Sequence, residues 1–366
     1  MESRKPIRVA QIMGKLCAGG VETVIFNYYR NIDHRKIQFD FYYDGDSTVG
    51  PPQDLIDMGA QFYEVPPYQE LPRYLRALRR AFREKRYPIV HSNLNSLSVF
   101  PLYAAKKEKI PVRIAHNHAT AGEGALVKNA VKLLLRCLST RYPTQLCACS
   151  RYAGEWLYGT SDFYVVKNAI DVKRFLYNEE KRAQERKRLG LEHRFVVGHV
   201  GRFCHDKNHE FLLEVFAEIC KLREDAVLLL VGGGKLEAPI RKKAEQLGVL
   251  DRVWFAGIQK DTSAFYQAMD VFVLPSRSEG LGVVLIEAQA CSLPILCSDR
   301  VPEEAKVLDS MTFLSLNESP RAWAERALEE AEQSKRYDTE AEMQKAGFDI
   351  ATEAKKLEAF YQSLLT

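Results

Sequence analysis

The sequence predicts an α/β protein built from two doubly wound, Rossmann-like domains that face each other across a cleft. Short apolar runs rich in β-branched residues alternate with longer helical patterns along almost the whole chain. Such alternation is typical of parallel sheets with helices on both faces. The length of 366 residues also exceeds what one hydrophobic core usually supports, so two domains are expected.

The first domain is predicted to span residues 1–172. Its strands are expected in six runs, IRVAQIM, QFDFYY, QFYEV, PIVHS, VRIAHN and QLCACS, and a helix is expected over Leu71–Lys85. Near Asp171–Arg194 the sequence changes from a turn into a charged helical linker. This change in composition predicts the domain boundary.

The second domain is predicted to span residues 173–348. Its strand runs are FVVGHVG, AVLLLVG, RVWFAG, VFVLP and PILCS, with helices over Glu210–Lys221, Leu236–Gln246 and Gly282–Ala290. A last amphipathic helix over Asp349–Leu364 has no strand after it. The pattern alone leaves open which domain this helix (residues 349–366 with its flanks) packs against.

Composition predicts a cytoplasmic protein. No apolar run reaches the roughly 18–20 residues that a membrane span needs, and the first residues enter a strand pattern without the apolar core of a signal peptide. The eight cysteines include no C-x-x-C pair. In a reducing compartment they are expected to be small buried side chains rather than disulfides or metal ligands.

Charge is distributed unevenly between the two halves. Residues 1–170 contain 24 Lys and Arg against 15 Asp and Glu, whereas residues 171–366 contain 28 against 33. The segment Arg73–Arg86 has seven basic residues and one acidic residue on a helical pattern. It predicts either a solvated outer helix or a surface for an anionic membrane, and the stretch Leu126–Arg136 favours the second option. Nucleic acid is not an expected partner, since no binding module is recognisable.

The segment VFVLPSRSEGLGVVLIEAQA is the most informative one for function. A buried strand is followed by Glu279-Gly280-Leu281-Gly282 and then by a helix that contains Glu287. Glycines at a helix start allow backbone N–H groups to approach an anion such as a diphosphate. The two glutamates are at most ~12 Å apart along a helix, and each carboxylate suits a diol. An acidic helix start with an unrelated solvated glutamate is the alternative.

A second strand-to-helix loop lies in HVGRFCHDKNHEF. Here Gly201 and Arg202 follow a strand, and Lys207 precedes a helix. Two cations at such a loop would neutralise the charge on a departing diphosphate. Ordinary solvated surface is the alternative. In open α/β sheets ligands bind at the carboxyl ends of strands, where both loops are predicted to lie.

The first domain also offers polar groups at strand ends. Gly19 and Gly20 follow the first strand and precede a helix. They predict either an anion-binding turn or an ordinary tight turn between strand and helix. His116 and His118 end a later strand in IAHNHAT, where histidines are also common structural hydrogen-bonding groups. His91 is a weaker candidate. The D-x-D pattern Asp44-Gly45-Asp46 is predicted to be a solvated turn rather than a metal site.

The ordered motifs GGVET, NAIDVKRF, GRF(x4)KN, VGGG, F-x-G at Phe255–Gly257 and EGLGVVLIEAQA resemble the retaining glycosyltransferases of family 4, which have the GT-B fold. The resemblance covers nearly the whole chain. It implies an N-terminal acceptor-binding domain, onto which the last helix returns, and a C-terminal domain for the nucleotide-sugar donor. It implies that catalysis depends on Arg202, Lys207, Glu279 and His116. The residues implied for donor binding are Gly20, Gly201, Arg202, Lys207, Ile258, Glu279, Gly280, Leu281, Gly282 and Glu287, and those implied on the acceptor side are Gly19, His116 and His118.

The resemblance therefore implies transfer of a sugar from a nucleotide-sugar, with UDP favoured over GDP, to a glycan or lipid-linked acceptor. No cofactor and no metal are expected, and the inner face of the plasma membrane is a possible location. Two alternatives stay open: a nucleotide-sugar epimerase of the same fold, and a non-catalytic nucleotide-sugar-binding subunit. The chain departs from the usual pattern at Ser292, where glycine is common, and at Arg300–Glu303, where a glycine-bearing loop is common.

Overall fold

The computed structural model describes residues 5–17, 19–118 and 134–366. The chain divides into two compact units. The first unit contains Met1–Ala169 together with Asp349–Thr366, and the second contains Ile170–Phe348. Each unit is built on its own parallel sheet.

The first unit has a seven-stranded sheet with the order β3-β2-β1-β4-β5-β6-β7. All of its pairings within the described residues are parallel, as strands joined by helical crossovers require. The strands are β1 (Ile7–Gly14), β2 (Ile37–Asp44), β3 (Gln61–Val65), β4 (Ile89–Ser92), β5 (Val112–Asn117), β6 (Gln145–Ala148) and β7 (Tyr164–Val165). The crossover helices are α1 (Gly20–Asn31), α2 (Gln53–Asp57), α3 (Leu71–Lys85), α4 (Val99–Lys107) and α5 (Arg151–Tyr158).

The second unit has a six-stranded parallel sheet with the order β10-β9-β8-β11-β12-β13. Its strands are β8 (Phe195–Val200), β9 (Ala226–Val231), β10 (Val253–Gly257), β11 (Val271–Leu274), β12 (Ile295–Ser298) and β13 (Met311–Leu314). The helices are α6 (Val172–Phe175), α7 (Glu179–Leu189), α8 (His209–Leu222), α9 (Glu237–Gln246), α10 (Ser263–Ala268), α11 (Val283–Ala290), α12 (Pro320–Gln333) and α13 (Glu340–Lys345).

The last helix, α14 (Ile350–Ser363), belongs to the first unit, where it packs against α1. Its Glu358 accepts a hydrogen bond of 2.6 Å from the backbone N–H of Asp33. Its Tyr361 is fully buried beside Phe39 of β2. The amphipathic pattern of this helix therefore supplies part of the core of the first unit.

The two cores differ in composition. In the first unit, aromatic side chains such as Tyr42, Tyr74 and Phe82 pack between the sheet and α3. In the second unit, the core consists mainly of Leu, Val, Ile and Ala side chains from both strands and helices, with Trp323 of α12 as its largest member. Burial of these side chains supplies the main driving force for folding, at roughly 25 cal/mol per Å² of apolar surface.

In both sheets the strand order reverses at one place. In the first unit this switch point lies between β1 and β4, and in the second between β8 and β11. Chains leave neighbouring strands in opposite directions there, which opens a crevice at the carboxyl ends. The loops after β8 and β11 are the two that the sequence analysis selected, so the topology of the second unit brings them together.

Two short strands were missed from the sequence. β7 has only two residues, and β13, with the sequence MTFL, lies at the sheet edge and is half-buried over most of its length. Neither has the long β-branched run by which the other strands are recognised. Among the described residues, the helices include none that combines the length and the hydropathy needed to cross a bilayer.

Candidate functional site

The loop after β8 is held tightly against the loop after β9. Gly201 donates a backbone hydrogen bond of 2.9 Å to Val231, and Phe203 donates one of 2.9 Å to Gly233. A Cβ placed on Gly232 would lie 2.0 Å from the carbonyl oxygen of Gly201, and one on Gly234 would lie 2.6 Å from that of Phe203. Any side chain at these two positions would collide with backbone, which explains why VGGG follows β9.

Lys207 lies across this loop. A Cβ on Gly201 would be 3.3 Å from Cε of Lys207, so the lysine methylene groups pass directly over the glycine. The ammonium group then reaches Glu279, in the loop after β11, with Nζ 2.6 Å from Oε1. Arg202, the second predicted cation, is exposed at the same loop. The structure therefore joins the two predicted loops through one ion pair.

The start of α11 completes this cluster. Gly282 is its N-cap with φ +83°, a conformation that favours glycine. A Cβ on Gly282 would lie 3.8 Å from Oε2 of Glu279, so the carboxylate that binds Lys207 also faces the helix start. Leu281 is buried and anchors the turn. Lysine, glutamate and a helix N-terminus thus converge, a combination suited to an anion with adjacent hydroxyl groups.

A second contact fixes the same two loops. The backbone N–H of Arg277 donates to the carbonyl of Asp206 over 2.7 Å, and Nη2 of Arg277 donates to Oδ1 of Asn208 over 2.8 Å. These residues flank the ion pair along the chain. The spacing between Lys207 and Glu279 therefore does not depend on their own contact alone.

Two neutral histidines lie beneath the loop after β8. Nδ1 of His199 contacts the carbonyl of Val273 over 2.9 Å, so this nitrogen carries the proton. Its Nε2 has no hydrogen-bond partner in the described ranges of the chain and would be 3.3 Å from a Cβ on Gly201. Burial lowers the pKa of His199 to about 4 and that of His209 to about 2. Both rings stay uncharged and add no repulsion to Lys207.

Glu287 is the fifth residue of α11, beyond the first turn that follows Gly282, and it is 8% exposed. The Tyr266 hydroxyl donates to its Oε2 over 2.7 Å, and the Thr262 hydroxyl also contacts the carboxyl group. Burial raises the pKa of Glu287 to about 7, against lowering contributions from Tyr266 and the nearby Arg174. This carboxyl is oriented by neighbours that the sequence analysis did not identify.

Ile258, predicted to line a base pocket, is 71% exposed just beyond β10. Its Cγ1 would be 3.1 Å from a Cβ on Gly233. An exposed apolar side chain therefore lies against the glycine loop. Such a surface can pack against a flat ring.

In the first unit, the glycines after β1 are only partly accessible. Gly19 is the N-cap of α1, and a Cβ there would lie 2.8 Å from Oε2 of Glu22. Oε1 of the same carboxylate accepts a hydrogen bond of 2.8 Å from the backbone N–H of Cys17. Gly20 has nothing within 4 Å of a Cβ position and faces open space. The turn thus already has an anionic group on one side.

The histidines of the first unit form one buried cluster. Nε2 of His91 lies 3.0 Å from Nδ1 of His116, and the rings of His116 and His118 have centroids 3.8 Å apart. His91 and His118 each have a further partner. The Tyr361 hydroxyl lies 2.7 Å from Nδ1 of His91, and Oδ1 of Asn93 lies 3.1 Å from Nε2 of His118. All three predicted histidines are therefore brought together.

Burial keeps these three rings neutral. It lowers the pKa of His91 and His118 to about 3 and that of His116 further, with a contribution from the neighbouring rings. Two atoms, Nε2 of His116 and Nδ1 of His118, are buried without a hydrogen-bond partner among residues 5–17, 19–118 and 134–366. Unsatisfied buried polar atoms are rare and often mark a place where another molecule binds.

The D-x-D pattern differs from the solvated turn that was predicted. Asp44 is 2% exposed at the end of β2, and burial together with Asp46 raises its pKa to about 6. Asp46 is exposed and pairs with Lys15 over 2.9 Å. In residues 5–17, 19–118 and 134–366, no three His, Cys, Asp or Glu side chains are grouped so as to hold a metal ion.

The basic helix α3 is partly neutralised. Arg79 and Arg83 both pair with Glu108, at 2.7 and 3.0 Å, and Arg80 pairs with Glu84. The apolar residues of the pattern are not available for insertion into a bilayer, since the helix buries Leu78 and Phe82 in the core. Most of the supporting stretch Leu126–Arg136 lies outside the described residues.

Two family models match the chain. The one described as Glycosyltransferase Family 4 covers residues 18–174, and the one described as Glycosyl transferases group 1 covers residues 181–348. Putative glycosyltransferase EpsF of Bacillus subtilis (strain 168) is 34% identical over 330 residues, which is 87% of this chain and 86% of EpsF.

Further similarities agree with this assignment. An Escherichia coli UDP-Gal:alpha-D-GlcNAc-diphosphoundecaprenol alpha-1,3-galactosyltransferase is 25% identical over 80% of this chain and 79% of its own length. The crystal structure of Anabaena HepE in complex with UDP and glucose superposes with a TM-score of 0.80 at 17% identity, covering 98% of this chain and 100% of HepE. The chain therefore belongs to the family 4 glycosyltransferases of GT-B fold and is a sugar-transferring enzyme.

Proposed function

We propose that this enzyme is a retaining hexosyltransferase that acts in polysaccharide or glycolipid assembly. It takes the sugar from a nucleotide-sugar, UDP-linked in the first instance and GDP-linked in the second, and transfers it to a glycan or lipid-linked acceptor. The observation that carries the proposal is the contact of 2.6 Å between Lys207 and Glu279 at the start of α11. It gathers a cation, a carboxylate suited to a diol and the N-terminus of α11.

Each group of the second unit has a proposed role toward the donor. Arg202 and Lys207 bind the diphosphate, with the Leu281 and Gly282 amides beside it. Glu279 binds hydroxyl groups of the sugar. The remaining proposed contacts are from Glu287 to the ribose and from Ile258 to the base.

The proposed chemistry needs no protein nucleophile. The bond between the anomeric carbon and the diphosphate oxygen breaks through an oxocarbenium-like transition state, and the acceptor oxygen attacks from the same face. The departing phosphate takes the acceptor proton. Lys207 and Arg202 stabilise the charge that develops on this phosphate, which is the largest contribution expected from the protein. We propose that no metal ion takes part.

The donor preference is supported by proteins that resemble this chain. HepE has been solved in complex with UDP-glucose, and the E. coli relative is named for UDP-Gal. A mycobacterial relative that is 34% identical over 39% of this chain is named as GDP-mannose-dependent. UDP-hexoses are therefore the first donors to test, with GDP-mannose next.

The proposed lipid-linked acceptor is also supported by a relative of this chain. The E. coli relative is named for a diphosphoundecaprenol-linked acceptor, which would be held at a membrane. The exposed Arg76 of α3 supplies positive charge to such a surface, whereas Arg73 pairs with Glu70 over 2.9 Å. Because the apolar face of α3 is buried, we propose electrostatic attraction rather than insertion.

The decisive experiment combines binding with product analysis. A thermal-shift series with UDP-glucose, UDP-galactose, UDP-N-acetylglucosamine and GDP-mannose should raise the Tm for one base class, since a ligand that binds the folded state stabilises it. NMR of the product should then show the anomeric configuration of the donor retained. Donor isomerisation without acceptor would identify an epimerase, and binding without hydrolysis or transfer would identify a non-catalytic subunit.

A further inference from the structure

Six buried side chains of the first unit form one hydrogen-bonded chain with Tyr361 at its centre. On one side the Tyr361 hydroxyl contacts Nδ1 of His91 over 2.7 Å, and His91 contacts His116. On the other side Nε2 of Gln11 donates to the same hydroxyl over 3.0 Å. The Gln11 branch continues through Asn93 to His118, with 2.9 Å from Nδ2 of Asn93 to Oε1 of Gln11.

The position of each proton along the His91 branch follows from the donors and acceptors. A tyrosine hydroxyl has one proton to donate. The oxygen of Tyr361 accepts from Gln11, and among the described residues Nδ1 of His91 is the one acceptor in contact with its hydroxyl, so the Tyr361 proton goes to Nδ1 of His91. His91 then carries its own proton on Nε2 and donates it to Nδ1 of His116. The proton of neutral His116 is therefore on Nε2, which has no partner in the described part of the chain.

The Gln11 branch is fixed in the same way. Oδ1 of Asn93 accepts from Nε2 of His118, which leaves Nδ1 of His118 as a lone pair with no partner among the residues that the structure describes. The orientation of the Asn93 amide has independent support, since its Nδ2 lies 3.6 Å from the sulfur of Met13. A reversed amide would place its oxygen against that sulfur, where it could not donate.

We propose that the Tyr361 hydroxyl is a positioning group that sets the tautomers of both His116 and His118. The pair then presents one N–H donor and one nitrogen acceptor on rings stacked 3.8 Å apart. That combination matches a hydroxyl group, which both donates and accepts. This inference rests on the proposed function for the identity of the ligand, a sugar hydroxyl, whereas the tautomers are a property of the free protein.

The test uses the full-length protein labelled with ¹⁵N in its histidine imidazoles. At pH 7, without substrate, long-range ¹H–¹⁵N spectra should show both His116 and His118 protonated on Nε2, with peaks assigned by substitution of each histidine. In Tyr361→Phe, at least one of the two tautomer ratios should change about fivefold, the equilibrium weight of one net hydrogen bond.

Two further variants keep the test sharp. Tyr29→Phe removes another fully buried hydroxyl of the first unit, one that donates to Gln38, and it should leave both tautomers unchanged. His91→Gln keeps an amide able to donate to His116 and should preserve its tautomer, whereas His91→Leu should not. Should Tyr361→Phe fail to fold, the two His91 variants still decide the matter.

The outcomes separate this inference from the function. Wild-type protein with His116 protonated on Nδ1, or tautomers in Tyr361→Phe identical to wild type, would overturn the inference whatever the activity. If the tautomers behave as expected but no nucleotide-sugar is turned over, the proposed function fails and the positioning role stands. With an active enzyme, kcat/KM in Tyr361→Phe should fall in proportion to the measured loss of the competent tautomers, and it should not fall in Tyr29→Phe.

Discussion

The two units assemble their polar sites in different ways. In the second unit, Lys207 and Glu279 are 72 residues apart in sequence and each belongs to a recognisable glycine-marked loop. In the first unit, Gln11 and Tyr361 are separated by 350 residues, and His91 and Tyr361 by 270. The first kind of site follows from local motifs, whereas the second exists only because α14 returns to the sheet.

The electrostatics of the two sites also differ. Lys207 and Glu279 are 17% and 11% exposed, so both are within reach of a charged ligand. The histidine cluster is buried and uncharged, because burial lowers the pKa of each ring. The second unit is thus suited to stabilise charge, and the first to orient neutral hydroxyl groups.

The largest expected effect tests this division directly. Replacing Lys207 or Arg202 by Ala should lower kcat at saturating donor at least ~100-fold, the scale of a lost preorganised charge. His116→Ala should cost only about tenfold, since it removes a neutral hydrogen bond. Lys243→Ala, which breaks an exposed pair with Glu214, is the control with wild-type turnover. A greater loss in His116→Ala than in Lys207→Ala would contradict the division.

A smaller effect concerns Glu287 and pH. Because its pKa is raised to about 7 from 4.5, the folded protein binds this proton more tightly than the unfolded chain does. The resulting stabilisation is complete below pH 4.5 and is lost as pH rises through 7, about 3 kcal/mol in all. Chemical denaturation at pH 5 and pH 8 should show a smaller difference in Glu287→Gln than in wild type. The exposed Glu245→Gln should follow wild type.

The smallest effect is expected at Ser292, whose backbone conformation favours glycine. Its φ of +52° is unfavourable for a serine, yet its hydroxyl accepts a hydrogen bond of 3.1 Å from the N–H of Tyr337. Ser292→Gly relieves the strain and removes that bond, each worth about 1 kcal/mol. The unfolding free energy should change by less than about 1 kcal/mol, and a loss of several would show that the bond dominates.

Much of the second unit could be predicted from sequence. Its strands are continuous apolar runs, and its loops are punctuated by glycines that the backbone geometry requires, at Gly232, Gly234 and Gly282. Such positions can be recognised in the sequence because the backbone there accommodates only glycine. The partners of Glu287 could not be predicted. Tyr266 and Thr262 belong to no motif, and they reach the carboxyl group only because α10 packs against α11.

The histidine cluster shows the limit of prediction more clearly. The sequence marked His91, His116 and His118 as strand-end residues, but it gave no reason to connect them with Gln11, Asn93 or Tyr361. Their connection depends on strand order, because β1 and β4 are neighbours in the sheet although β2 and β3 separate them in the chain. The D-x-D turn shows the converse, since Asp44 fits a turn pattern and is nevertheless buried.

The return of α14 has a consequence for biosynthesis. A ribosome makes Tyr361 after all of Ile170–Phe348 has been translated, so the second unit can complete its sheet while the first still lacks a helix. Nascent domains generally fold as they emerge, the N-terminal one first. Here the order is reversed for the final step, and a polypeptide released early would lack the Tyr361 hydroxyl that links His91 to Gln11.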